Sequence, residues 1–270
     1  MRILFVGGGN MGSALIGGLL KQGLAAGDIL VVEVSEDARL RLRETFGVAS
    51  QAELDETGVV ADVVLLAVKP QHLRDAAQRL RPRLRGRLVV SIVAGIRTAD
   101  LSRWLGGHGR IVRAMPNTPA LLRAGITGLY AALDATQADR KIAEHILGAV
   151  GTIMWLDSED RMDGVTAVSG SGPAYVFYFI EALQQAAQEL GFSEEQARRL
   201  AVETFVGAAK LAAGNPEPPA TLRARVTSKG GTTERALEIM ESFELKGRVV
   251  EAVRAAAKRS GELGDEFGKT

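Results

Sequence analysis

The chain opens with the sequence MRILFVGGGNMG (residues 1–12), in which the apolar run Ile3–Val6 leads directly into closely spaced glycines. Gly7, Gly9 and Gly12 have the spacing G-x-G-x-x-G, and a helical pattern follows. In that pattern the first glycine permits a tight turn, the second lets the backbone approach a pyrophosphate, and the third lets helix and strand pack closely. A plain turn needs only one or two glycines. The segment therefore predicts the strand–turn–helix of a dinucleotide-binding fold.

Short apolar runs alternate with helical patterns as far as residue 156. Continuous runs of Val, Ile and Leu are typical of strands buried on both faces of a parallel sheet. The alternation predicts an α/β fold, with an N-terminal doubly wound Rossmann-type sheet over residues 1–156. The predicted strands are Ile3–Val6, Ile29–Glu33, Val63–Val68, Leu88–Val93 and Ile111–Met115, and the predicted helices include Gly12–Gln22, Ala38–Phe46 and His72–Leu80.

The chain changes character after Trp155, and residues 157–270 show helical periodicity without a convincing strand. Ser193 and Gln196 have the spacing of a capping box, which predicts a helix starting there and ending near Gly214. A last helix is predicted over Lys246–Ser260. The second domain is therefore expected to be all helical.

Glu33 ends the second predicted strand, about 20 residues after the glycine pattern. A carboxylate at that place accepts hydrogen bonds from the adenine ribose 2′-hydroxyl and repels a 2′-phosphate. Glu33 therefore favours NADH over NADPH. Arg39 and Arg41 follow closely and partly offset this preference, and a solvent-exposed glutamate without a ligand is the alternative.

Three further segments close predicted strands: Ala67–Pro70, Ile92–Gly95 and Met115–Pro119. Ligands of open α/β sheets bind at the carboxyl ends of the strands, so these segments are expected to border the nicotinamide. Ordinary strand-ending turns are the alternative for each segment taken singly.

The loop Val226–Thr233, of sequence VTSKGGTT, joins two helical stretches of the second domain. Ser228, Thr232 and Thr233 carry hydroxyls that suit a structural helix cap. The same hydroxyls, beside the free N–H groups of a helix start, also suit a binding site for a carboxylate. Both interpretations remain open on the residues of this segment alone.

The composition excludes several classes of site. The formal net charge is +1, so we expect no nucleic-acid partner and no attraction to an anionic membrane. Cysteine is absent, which excludes disulfides and thiolate chemistry and fits a reducing, cytoplasmic location. The three histidines are scattered, and no metal site is predicted. The uncharged stretch 165–180 is shorter than the roughly 20 apolar residues of a membrane span.

Five arginines alternate at positions 79, 81, 83, 85 and 87. Because the total charge is near neutral, we interpret them as a solvated loop rather than a nucleic-acid patch.

Together the motifs resemble those of pyrroline-5-carboxylate reductases, over essentially the whole chain. The motifs that carry the resemblance are Gly7–Met11, Ala67–Pro70, Met115–Pro119, Ser169–Tyr175 and Val226–Thr233. The resemblance implies an enzyme that reduces L-1-pyrroline-5-carboxylate to L-proline, the last step of proline biosynthesis. It also implies a helical C-terminal domain through which subunits form homodimers, often assembled into decamers. The apolar faces of residues 174–190 and 197–213 favour a dimer independently.

The resemblance also implies roles for particular residues. The substrate carboxylate is expected on Ser228 and on the backbone N–H groups of Thr232 and Gly231. The Thr233 hydroxyl is expected beside the ring nitrogen, where it assists protonation, and Glu159 near the product site. The dinucleotide, NADPH or NADH, is expected to contact Val6, Gly7, Gly8, Gly9, Asn10, Met11, Gly12, Glu33, Ala67, Val68, Lys69, Pro70, Ile92, Val93, Ala94 and Asn117. Glu33 and Val34 depart from the family pattern, whose usual residues there suit a 2′-phosphate.

Two other functions compete with this one. A β-hydroxyacid dehydrogenase shares the opening loop and a helical second domain, but it uses a lysine early in that domain. The segment Ser169–Glu189 contains no lysine. A dinucleotide-binding regulator without turnover is the second alternative, and in that protein the threonine loop is only a cap.

Overall fold

The computed structural model describes residues 1–54 and 61–269. They form two compact units, which we call the sheet unit and the helical unit. The sheet unit comprises Met1–Ser171 together with Ala256–Thr270, and the helical unit comprises Gly172–Ala255. The sequence predicted a boundary between two functional domains at residue 156. The two units are defined by compactness and divide the chain at other positions, so the functional boundary stays a prediction.

The sheet unit is built on one eight-stranded sheet, which confirms the predicted α/β class. The strands are β1 (Ile3–Val6), β2 (Ile29–Val32), β3 (Ala49–Gln51), β4 (Val63–Leu66), β5 (Leu88–Ser91), β6 (Ile111–Met115), β7 (Gly125–Ala131) and β8 (Gly151–Trp155). Their order is β3-β2-β1-β4-β5-β6-β7-β8. The first six in this order run parallel, and β7 is antiparallel to β6. The order reverses between β1 and β4, the position at which such sheets bind ligands.

All five predicted strands are present, and three more were not predicted. Strand β3 has only three residues, and its sequence Ala-Ser-Gln has no apolar run. Strand β7 contains two glycines, which are depleted in strands. Strand β8 alternates half-buried and exposed residues at the edge of the sheet, whereas the predictions relied on continuous apolar runs.

Helices cover both faces of this sheet. They are α1 (Asn10–Lys21), α2 (Glu36–Phe46), α3 (Pro70–Leu80), α4 (Thr98–Trp104), α5 (Gln137–Gly148) and α6 (Arg161–Val165), the last followed by a π-helical turn at Thr166–Gly170. One core cluster includes Phe5, Leu15 and Ile146, and the other includes Leu4, Leu66 and Leu73. Because neighbouring residues of β1 belong to opposite clusters, its continuous apolar sequence is explained by burial on both faces.

The helical unit contains no strand among its described residues, as predicted. Its helices are α7 (Gly172–Glu189), α8 (Glu194–Ala213), α9 (Pro219–Arg225), α10 (Thr232–Ser242) and the first part of α11 (Leu245–Lys269). The predicted capping box is confirmed: Ser193 accepts a hydrogen bond from the Gln196 N–H, and Gln196 accepts one from the Ser193 N–H. Helix α11 is longer than predicted, and from Ala256 onward its residues belong to the sheet unit.

Apolar side chains are exposed over much of the helical unit. Within α7 no residue is buried, and within α8 only Ala197 and Ala201 are. The exposed large side chains include Phe177, Tyr178, Leu190, Leu211 and Phe243. An apolar surface of this extent is typical of a protein–protein interface. Among the described residues, no helix is both long and apolar enough to cross a membrane.

Candidate functional site

The glycine loop joins β1 to α1 and has the close backbone contacts that its sequence predicts. Gly7 has a φ of +102°, and a Cβ at this position would lie 2.6 Å from the carbonyl oxygen of Ala67. A Cβ on Gly12 would lie 2.9 Å from the carbonyl oxygen of Gly7. Both distances are too short for any side chain. Glycine is therefore required at these two positions by the turn and by its contact with the end of β4.

Gly9, the second glycine of the G-x-G-x-x-G pattern, faces open space. Gly9 is the N-cap of α1 and makes no side-chain cap, and a Cβ built on it meets no atom within 4 Å. The first N–H groups of a helix have no intrahelical partner, and the helix dipole favours an anion there. The loop therefore fits the pyrophosphate of a dinucleotide, with Gly9, Asn10 and Met11 at the helix start.

Glu33 lies just after β2, and its carboxylate is fixed by two backbone N–H groups. Gly8 donates to Oε2 and Ser35 donates to Oε1, each at 2.9 Å. Arg39 lies at the same place, with Nη1 donating to the carbonyl oxygens of Glu33 and Val34 at 2.7 and 2.8 Å. The carboxylate is thus tied directly to the glycine loop, which the sequence could not show.

The ends of β1, β4 and β5 lie side by side. The Ala67 N–H donates to the Val6 carbonyl at 2.8 Å, and the Ile92 N–H donates to the Leu66 carbonyl at 3.0 Å. The residues predicted to contact the dinucleotide at these ends are therefore brought together: Val6, Ala67, Val68, Lys69, Pro70, Ile92, Val93 and Ala94. Lys69 is exposed and is the N-cap of α3, with Pro70 as the first helical residue. Their contacts with a cofactor stay predictions.

Asn117, the last predicted cofactor residue, is buried and bonded within the protein. Its Nδ2 donates to the carbonyl oxygen of Ser169 at 3.1 Å, and its Oδ1 accepts from the Ile126 N–H at 2.9 Å. The amide therefore links the end of β6 to β7 and to the π-helical turn. These two bonds give Asn117 a structural role that its place after a strand did not predict.

Glu159 is held by residues from two other elements. Its Oε1 accepts from the Thr98 N–H at 2.8 Å and from Arg113 Nη1 at 2.9 Å, and its Oε2 accepts from the Thr98 hydroxyl at 2.6 Å. The side chains of Arg113 and Glu159 are 6% and 18% exposed, so this is a nearly buried ion pair. Sequence reasoning missed Arg113 and Thr98. The one available signal was Arg113, the only charge in the apolar strand β6.

The predicted substrate loop of the helical unit leads into α10, whose N-cap is Gly231. The Gly231 N–H donates to the Ser228 carbonyl at 3.0 Å, and the Gly230 N–H donates to Glu234 Oε2 at 2.5 Å. No side chain caps the helix, so the structure contradicts the alternative in which hydroxyls of this loop serve as caps.

Three of the four hydroxyls in this loop are available to a ligand, whereas the Thr227 hydroxyl donates to the Arg223 carbonyl oxygen at 2.7 Å. Ser228, Thr232 and Thr233 are exposed, and their hydroxyls have no hydrogen-bond partner in the described part of the chain. The first N–H groups of α10 are also without intrahelical partners. The arrangement presents neutral donors to an anion without a buried cation. No three His, Cys, Asp or Glu side chains in residues 1–54 and 61–269 are grouped to hold a metal.

Two family models match the chain. The model described as pyrroline-5-carboxylate reductase dimerisation matches residues 159–263, and the one described as NADP oxidoreductase, coenzyme F420-dependent, matches residues 2–95. The first match includes the loop before α10, and the second includes the glycine loop, Glu33 and the end of β5.

Relatives match over nearly the whole chain. The pyrroline-5-carboxylate reductase of Pseudomonas aeruginosa is 44% identical, covering 99% of this chain and 98% of the relative. The corresponding Coxiella burnetii structure has a TM-score of 0.91 at 41% identity, covering 97% and 98% of the two chains. The Plasmodium falciparum pyrroline carboxylate reductase, solved with NADP bound, has a TM-score of 0.87 at 29% identity, covering 98% of each chain. The chain therefore belongs to the pyrroline-5-carboxylate reductase family.

Proposed function

We propose that this enzyme reduces L-1-pyrroline-5-carboxylate to L-proline, the last step of proline biosynthesis, with a reduced nicotinamide dinucleotide. The observation that carries the proposal is the start of α10. Its N–H groups and three hydroxyls are free to receive a small carboxylate, in a chain whose other unit has a dinucleotide loop. We also propose a cytoplasmic location, which the cysteine-free composition fits.

The dinucleotide is proposed to bind at the loop after β1, with its pyrophosphate on the N–H groups of Gly9, Asn10 and Met11. The bound cofactor supplies the hydride for the C=N bond. The residues of this chain bind and orient it, and the ends of β4 and β5 border its nicotinamide. Gly7 and Gly12 act indirectly, by keeping the turn tight enough to expose these N–H groups.

The substrate carboxylate is proposed to lie on the Ser228 hydroxyl and on the N–H groups of Gly231 and Thr232. We propose Thr233 as the catalytic residue, with its hydroxyl beside the ring nitrogen. A cyclic imine that arrives protonated needs no strong acid, and orientation supplies much of the rate. Glu159 is proposed to act near the product only through Thr98 and Arg113, because those two residues already bind both of its oxygens.

We propose that NADH is preferred over NADPH. Glu33 supports this preference because Gly8 and Ser35 fix its carboxylate where the adenine ribose is expected. Arg39 at the same place partly offsets the preference, since only its Nη1 is bonded, to two neutral carbonyl oxygens, and its positive charge remains. The ratio of kcat/KM for NADH to that for NADPH measures the preference directly.

Glu33→Ser should move that ratio toward NADPH by about tenfold or more, since tenfold corresponds to only about 1.4 kcal/mol of differential binding. Glu36→Ser, an exposed position on the next helix, is the matched control and should leave the ratio unchanged. A wild-type enzyme that strongly prefers NADPH would contradict this role of Glu33.

We propose a homodimer formed through the helical unit, with dimers assembled into a decamer. The exposed apolar side chains of α7, α8 and α10 support an obligate interface there. Sedimentation at several protein concentrations distinguishes a monomer, a dimer and a larger ring.

The activity is tested by mixing the protein with pyrroline-5-carboxylate and either dinucleotide and following the absorbance of the reduced nicotinamide. Family membership favours the reductase over a β-hydroxyacid dehydrogenase. Oxidation of the reduced nicotinamide in the presence of pyrroline-5-carboxylate is expected only of the reductase, and it therefore separates the two. No oxidation with either dinucleotide, together with tight dinucleotide binding, would instead identify a non-catalytic regulator.

A further inference from the structure

A cavity lies in the sheet unit, and none of the residues that line it is assigned above to dinucleotide or substrate. Its volume is about 690 Å³, within the range of about 300–1,000 Å³ that is usual for small-molecule sites. It is formed by one face of α3 with Arg81 directly after it, by α4 with the residue before it, and by the last turns of α11. Trp104, which is 7% exposed, is the one large apolar side chain among the lining residues.

The cavity is strongly cationic although the whole chain is nearly neutral. Five cationic side chains and two carboxylates line it: Arg74, Arg81, Arg97, Arg103, Lys269, Asp100 and Asp265. Both carboxylates are already paired, Asp265 with Arg97 at 2.6 Å and Asp100 with Arg103 at 3.0 Å. The guanidinium groups of Arg74 and Arg81 make no ion pair or hydrogen bond with any residue in the described ranges. Positive charge is therefore left without a protein partner.

The walls of the cavity are held in place by specific contacts. Arg97 is fixed by Asp265, and Arg103 donates to the carbonyl oxygen of Gly268 at 2.6 Å. The Arg81 guanidinium lies against Gly106, where a Cβ would collide with its Nε. Gly106 has a φ of +76°, so the backbone conformation there also favours glycine. These contacts preform a site for a ligand, which lowers the entropy cost of binding.

The spacing of the two unpaired arginines indicates the kind of ligand. Arg74 lies on α3 and Arg81 is the residue that caps its C-terminal end, still in a right-handed helical conformation. The two are seven residues apart on the same side, with Gln78 between them, which places their backbones about 10 Å apart along the helix axis. Guanidinium groups bind phosphate oxygens in a bidentate way. From this geometry we propose that the cavity binds a small polyanion carrying two or more phosphate groups, at a site separate from the active site.

The alternating arginines at 79–87 were interpreted from the sequence as a solvated loop. Among them, Arg81 alone lines the cavity. Arg79 and Arg85 therefore provide matched control positions, because each is exposed, lies near Arg81 in sequence and carries the same charge.

The test is isothermal titration calorimetry of the full-length protein, saturated with NADH so that the glycine loop is occupied. One arm uses inorganic tripolyphosphate and the other a sugar bisphosphate, which separates a free polyphosphate from a phosphate ester. Binding is expected in at least one arm, with one site per chain and weakening as salt is added.

Arg74→Gln and Arg81→Gln should each weaken that binding about tenfold or more, because each removes a charge-assisted contact. Arg79→Gln and Arg85→Gln should change it less than about threefold. No binding in either arm would overturn the proposal, as would equal weakening by all four variants, which would indicate only diffuse electrostatic attraction.

Discussion

Removing Glu159 should strongly destabilise the sheet unit, because it leaves the buried charge of Arg113 uncompensated. Glu159→Ala removes the acceptor of three hydrogen bonds and leaves the Arg113 guanidinium, only 6% exposed, without its partner. Breaking a buried pair in this way costs about 3–5 kcal/mol. Glu159→Gln keeps one acceptor oxygen but removes the charge, so its cost should lie between that value and zero.

A nearby surface pair supplies the control. Asp157 and Arg161 are 3.1 Å apart, but their side chains are 72% and 67% exposed, so Asp157→Ala should cost about 0–1 kcal/mol. The measurement is the free energy of unfolding in urea for all variants at one protein concentration, because oligomerisation shifts apparent stability. If Glu159→Ala costs no more than Asp157→Ala, Arg113 does not depend on Glu159 and this reasoning is refuted.

Three further predictions concern one residue each: Asp139, Gly9 and Thr233. Burial alone raises the pKa of Asp139, but hydrogen bonds from Arg110 and Thr136 outweigh it and hold that pKa below its usual value. The ionised Asp139 carboxylate should therefore stabilise the folded protein above about pH 4, and this stabilisation should be lost as pH falls through the folded-state pKa. Asp139→Asn should consequently flatten the acid side of a plot of unfolding free energy against pH. A Cβ added at Gly9 or at Gly27 meets no atom within 4 Å, so Gly9→Ala and Gly27→Ala should both fold normally. Only Gly9→Ala should raise the KM for the dinucleotide, and an unchanged KM would remove Gly9 from its site. Thr233→Ala should lower kcat/KM at least tenfold, with unfolding free energy within about 1 kcal/mol of wild type. Thr204→Ala, in the same unit, should change neither, and full activity of Thr233→Ala would exclude the proposed role of its hydroxyl.

The sequence predicted those features that depend on local pattern. Strands β1 and β6 have the bounds that their apolar runs predicted, and the glycine loop joins strand to helix as expected. Ser193 caps α8 because a capping box needs only residues three apart.

The features that the sequence did not predict depend on contacts between distant residues. Glu159 bonds to Arg113 and Thr98, which are 46 and 61 residues away in the chain. The Gly8 N–H reaches the Glu33 carboxylate across 25 residues. Sequence periodicity contains no information about such distant pairs. Only the fold shows that the Glu33 carboxylate binds the glycine loop and that the Glu159 carboxylate is bonded to Thr98 and Arg113.

The final turns of α11 also bear on how the protein is made. Ser260 donates to Asp163 at 2.7 Å, Arg97 donates to Asp265, and Gly264 packs against the Gly95 carbonyl. These contacts form between segments separated in the chain by the entire helical unit. Domains generally fold as units during synthesis, the N-terminal one first. Here the sheet can form early on the ribosome, but the loop after β5 acquires its last neighbours only after residues 256–269 have been translated.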